Sequence, residues 1–77
     1  MRNIEIDRVG KVIAGEDLGK WIKIQDVTES TGGFLVLYGV DRDFENGGDD
    51  WVKDWDSLVQ YFTESSWEIE WEKVQAD

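Results

Sequence analysis

Three glutamates, Glu68, Glu70 and Glu72, recur at every second position of Trp67-Glu68-Ile69-Glu70-Trp71-Glu72. In a strand that spacing sends all three carboxylates out of one face, about 6.6 Å apart. Such a row can receive arginines and lysines from a cationic protein, with Asp54 and Asp56 as further acids on a helix rim. The bland alternative is the wet side of an edge strand, where charge deters pairing with other strands. Lys20 or Lys23 on a neighbouring strand would neutralise part of the row and make it structural.

Other chemistries lack their parts. With no histidine and no cysteine, the chain has neither a base poised near neutrality nor a thiolate, and its serines have no imidazole to activate them. Paired carboxylates can hydrolyse glycosides, but that reaction needs a deep cleft, which a chain of 77 residues rarely builds. The glycines never assemble into a phosphate-binding loop. Asp41, Asp43, Glu45 and Asp49 sit where a calcium loop places its acids. Asn46 occupies the turn-glycine position, however, and Val52 that of the bidentate glutamate. This segment reads as a polar loop leading into a helix, with no metal site. The protein is expected to be no enzyme and to carry no cofactor.

Charge is distributed unevenly. From Asp41 to Asp77, twelve acids face only Arg42, Lys53 and Lys73, whereas Met1 to Val40 holds six acids and five bases. The acidic half also holds four of the five tryptophans. Negative charge steers a cationic partner into contact, and aromatic rings supply affinity once it arrives. A net charge of −10 argues against nucleic acid and against an anionic membrane as partners. No run approaches the roughly 18–20 apolar residues of a membrane span, and the first residues lack the apolar run of a signal peptide. A cytoplasmic protein is the expectation.

Residues 1–77 are expected to form a single α+β domain. The predicted architecture is a mostly antiparallel sheet of four to five strands, with one helix on one face and a carboxy-terminal strand returning after it. Ile4-Glu5-Ile6-Asp7 alternates as a first strand, with Gly10 as a turn, and Lys11 to Ala14 reads as a second. Trp21 to Val27 alternates again, with Ile22 and Ile24 on one face and Trp21, Lys23 and Gln25 on the other. Thr28 to Gly33 is a loose hairpin connection. Phe34-Leu35-Val36-Leu37-Tyr38 is apolar throughout, the mark of a central strand. The helix is expected from Trp51 to about Glu64, capped by Asp49 or Asp50. There Trp51, Val52, Trp55, Leu58, Val59 and Phe62 share one arc of about 120°. Ser65-Ser66 ends it. The crossover would set the last strand parallel to the Phe34–Val40 strand.

One helix cannot cover both faces of a sheet whose central strand is apolar on both. Trp21 should therefore lie on the open face, beside either Phe34, Val36 and Tyr38 or Leu35 and Leu37. It would serve there as a hydrophobic anchor for a partner, unless the amino-terminal strands curl over and hide it.

The run Gly-Gly-Phe-Leu-Val-Leu-Tyr, the acidic loop after it, Asp-Asp-Trp-Val-x-x-Trp-x-x-Leu-x-x-Tyr-Phe and Trp-Glu-Ile-Glu-Trp together resemble the small acidic immunity proteins of bacterial toxin systems, over residues 32–71. That resemblance implies a stoichiometric inhibitor that blocks a basic toxin domain, often a nuclease. The candidate contacts from the residues themselves are Glu68, Glu70, Glu72, Asp54, Asp56 and Trp21. Two alternatives stay open: a DNA mimic that occupies the groove of a DNA-binding protein, and a structural homodimer that hides its open sheet face.

Overall fold

The computed structural model describes residues 4–72. Five strands and one helix follow in the order β1 (Val9–Ala14), β2 (Trp21–Asp26), β3 (Phe34–Gly39), β4 (Gly47–Val52), α1 (Trp55–Ser65) and β5 (Glu68–Trp71). The sheet order is β4-β3-β2-β1-β5, and every neighbouring pair is antiparallel. This is the α+β sheet, single helix and returning strand that alternation and helical periodicity predict.

The core lies between one sheet face and the helix. Ile22 and Ile24 of β2, Phe34 and Val36 of β3 and Val12 of β1 meet Leu58 and Phe62 of α1, with Trp67 closing the end. Trp67 is 1% exposed, packs edge-on against Phe62 and Tyr61, and donates its indole N–H to the Glu16 carbonyl at 2.7 Å. A buried ring with its one polar atom satisfied contributes area without a desolvation cost.

Five sequence expectations are corrected. The segment 4–7 is not a strand: Asp7 has φ of 60° and its N–H bonds the Ile24 carbonyl, while Ile4 and Ile6 pack against the core from irregular backbone. Gly10 is not a turn. It lies inside β1, facing the core, where an added Cβ would stand 2.4 Å from Ile69 Cγ2 and 2.7 Å from Trp71 Cε3. The helix begins at Trp55 rather than Trp51, and Asp54 is its N-cap in place of Asp49 or Asp50. Residues 47–52 instead form an added strand, β4, which makes five.

Finally, β5 does not lie parallel to β3. It runs antiparallel on the outer side of β1, through Gly10↔Trp71 and Val12↔Ile69, with a register shift between Val12 and Ala14. The short turn at Ser66, whose φ is 55°, reverses the chain directly out of the helix, so no crossover over the sheet is needed.

Candidate protein-binding surface

Register fixes what each sheet face displays. Leu35 pairs with Gln25 and Trp51, Leu37 with Lys23 and Asp49, and Gly39 with Trp21 and Gly47. Partners in an antiparallel ladder share a face, so Trp21 stands with Leu35 and Leu37 on the face that the helix leaves open. Trp21 is half-buried, with the Lys11 ammonium 5.5 Å from its ring centroid. Ile4 and Ile6 of the amino-terminal segment pack against the core. The β3–β4 loop covers one end of the open face, where a Cβ on Gly39 would stand 3.2 Å from Phe44 Cα.

That loop also reaches the carboxylate row. Arg42 donates from Nε to Glu72 Oε2 at 2.6 Å and from its second fork nitrogen to Oε1. The paired guanidinium holds the Glu72 carboxyl below its ordinary range, and the carboxylate in turn raises Arg42. Glu70 lies opposite Lys11 across β1, and Glu68 lies opposite Ala14 beyond the register shift. Glu68 and Glu70 are exposed. The row therefore keeps two carboxylates facing water, while its third is committed to Arg42. Lys20, a cation expected near the row, pairs with Asp17 instead.

The densest acid lies at the opposite edge of the sheet. Asp49 and Asp50 of β4, then Asp54 and Asp56 at the helix start, are all exposed, with Lys53 the single cation among them. Their local roles differ. Asp54 accepts the Ser57 N–H at 2.8 Å, and this capping bond lowers its carboxyl from the ordinary value. Asp56 occupies the first helical turn, where the helix dipole favours an anion. Asp50 shares a sheet face with Val36 and accepts the Tyr61 hydroxyl at 2.8 Å. Burial first, and then that bond, push the Tyr61 phenol well above its ordinary value.

Two tryptophans frame these acids. Trp51 is 52% exposed on the open sheet face, with its indole N–H held by the Gly32 carbonyl at 2.6 Å. Trp55 is 46% exposed at the helix start and packs edge-on against Phe34, with centroids 5.7 Å apart. The β2–β3 loop thus holds Trp51, and it also lies against the β4–α1 junction, where Gly33, at φ of 80°, sits so close to the Val52 carbonyl that a side chain would collide with it. Each ring is thus fixed on one side and wet on the other.

Of the residues singled out from sequence, Asp54 and Asp56 belong to this surface, Glu68, Glu70 and Glu72 lie at the far edge, and Trp21 lies between the edges. Asp49, Asp50, Trp51 and Trp55 were missed as surface features. Trp51 and Trp55 fit a helical core stripe by spacing, and only the flanking Asp-Asp and Asp-x-Asp mark that segment as wet.

Elsewhere, Asp41 is spent on its own loop. It accepts the Glu45 N–H at 3.1 Å and the Asn46 side chain at 3.2 Å, and the first of these lowers its carboxyl from the ordinary value. Among the described residues, no group of three or more acids is placed to hold a metal ion, and no helix is long and apolar enough to cross a membrane. In comparisons with known proteins, no family model, no curated protein and no solved structure matches this chain.

Proposed function

We propose that this chain is a non-catalytic acidic module that binds a cationic protein stoichiometrically, and that its partner is a basic toxin domain which it neutralises. The observation that supports this most is the run of exposed acids along β4 and the helix start, Asp49, Asp50, Asp54 and Asp56, interleaved with the half-exposed rings of Trp51 and Trp55. Among the described residues only Arg8–Glu5, Lys20–Asp17 and Arg42–Glu72 form ion pairs. Most carboxylates therefore keep their field directed at solvent, where it raises the encounter rate with a positive surface by roughly 10–10³-fold at low salt. Rings already braced on one side lose little freedom when a partner covers the other, and that favours affinity.

The test is binding to the cationic domain encoded by an adjacent reading frame, followed by stopped-flow fluorescence of the tryptophans. A one-to-one complex is expected, with an association rate that falls at least tenfold as salt rises from about 0.02 to 0.3 M. No complex, or an association rate indifferent to salt, would overturn the proposal. Self-association through Trp21, Leu35 and Leu37 is the competing reading, because these half-buried apolar residues lie together on the uncovered face. A concentration-dependent dimer in sedimentation would favour it.

A further inference from the structure

Strand β4 is an open edge. It pairs with β3 along all six of its residues without a break, from Phe34↔Val52 to Gly39↔Gly47. On its other side no strand follows. Among the described residues, no backbone hydrogen bond reaches β4 from any element but β3. In an antiparallel strand about half of the N–H and C=O groups point away from the paired neighbour, so β4 offers a row of donors and acceptors to the solvent.

Natural edges are guarded by proline, lysine, a bulge or inward charge. The chain has no proline, β4 has no lysine, and its register has no bulge. Gly47 and Gly48 present no side chain to block approach, and residues 47–51 are all exposed. Its charged guard is the pair Asp49 and Asp50, one on each face of the strand, with Asp50 also accepting the Tyr61 hydroxyl of α1. A second copy of this edge would bring aspartate against aspartate, which disfavours self-pairing. A lysine- or arginine-bearing strand would meet the same carboxylates with opposite charge. Trp51, fixed by its bond to Gly32, stands at the end of the edge where an aliphatic residue of the added strand could pack. The other edge, β5, is a poorer template: it has four residues and an irregular register beside Val12 and Ala14.

We infer that β4 captures an extended cationic segment of its partner by strand addition, with Asp49 and Asp50 selecting the charge and the β4 backbone supplying the register. This rests on the acidic-module reading above and specifies how its partner is held. A strand that adds to an edge gains affinity from main-chain bonds and specificity from alternate side chains.

The test uses the isotope-labelled full chain and two synthetic peptides of alternating lysine and valine, identical in charge, one with ordinary amides and one N-methylated at every residue. The ordinary peptide should slow hydrogen exchange of outward amides in residues 47–52 by tenfold or more, and the N-methylated peptide should bind at least tenfold more weakly. The D49N/D50N variant should weaken binding of the ordinary peptide while leaving the same amides protected at saturation. Equal binding of the two peptides would overturn strand addition and leave a purely electrostatic surface. So would protection that maps to β5 or to the Trp21 face, or failure of the ordinary peptide under conditions where the cationic domain binds. If neither peptide nor domain binds, the acidic-module reading fails with it.

Discussion

Replacing Gly10 by alanine probes the placement of β5, and with it the side of the molecule on which Glu68 and Glu70 stand. The new methyl would point into the core side of β1, 2.4 Å from Ile69 Cγ2 and 2.7 Å from Trp71 Cε3. Both distances fall roughly an ångström inside ordinary carbon–carbon contact, about 3.5–4.0 Å. Both neighbours belong to β5, so relief requires that strand or its side chains to move. Overpacking of this kind costs about 1–3 kcal/mol, partly offset by the lower chain entropy of alanine when unfolded. In a domain of this size that corresponds to a fall in Tm of roughly 4–20 °C. Urea unfolding of Gly10→Ala, Ile69→Leu and the double variant reads the coupling. Leucine lacks the Cβ-branched methyl, so the double variant should be more stable than the two single losses predict. A Gly10→Ala protein within about 0.5 kcal/mol of the parent, uncoupled to residue 69, would refute the packing of β5 against β1.

Further outcomes follow from the core, the caps and the bridges. Leu58→Ala empties a fully buried position and should cost about 2–5 kcal/mol by chemical denaturation. Asp54→Ala should lower Tm while Asp54→Asn retains most of the parent value at neutral pH, since asparagine can accept the same Ser57 N–H. The Asp54 carboxyl is depressed in the folded state, so its contribution is present above the unfolded value and fades as pH falls through the folded one. Acid titration of stability should therefore be shallower in Asp54→Asn. The Tyr61 phenol is raised when folded, so above about pH 10 the unfolded chain loses a proton that the folded chain keeps. Stability should fall there as pH rises, and Tyr61→Phe should flatten that limb of the denaturation midpoint curve. Arg42→Gln should free Glu72 and speed association with a cationic domain in stopped flow by no more than about twofold, because Glu72 lies at the β5 edge, whereas slower association would count against electrostatic steering.

The parts of the fold that were legible in sequence are those with one wet and one dry face. Ile22 and Ile24 alternate with Trp21 and Lys23 because β2 is covered on one side only, and the same holds for Ile69 and Trp71 against Glu68 and Glu70. Strand β4 escaped because an edge with five exposed residues in a row carries no alternation to read. Its last residues, Trp51 and Val52, then mimicked the helical stripe continued by Trp55 and Leu58. The capping bond from Ser57 to Asp54 sets the true start. Gly10 was misread for a different reason. A glycine in a short sequence window signals a turn, whereas here it permits close approach of a strand distant in sequence. The placement of β5 beside β1 is non-local, and periodicity gives a strand's face but not its neighbour. The acidic surface was half legible: charge imbalance located it in the correct half of the chain, but Arg42 and the helix cap decide which carboxylates stay free.

The central claim is that a cationic protein is recognised by the carboxylates around β4 and the helix start rather than by those of β5. Association rates of the cationic domain with Asp49→Asn/Asp50→Asn/Asp56→Asn and with Glu68→Gln/Glu70→Gln, each against the parent at low salt, test it directly. The aspartate variant should associate at least tenfold more slowly, with a weaker salt dependence, and the glutamate variant should stay within about twofold of the parent. Equal rates for the aspartate variant and the parent, or a larger loss in the glutamate variant, would contradict the account.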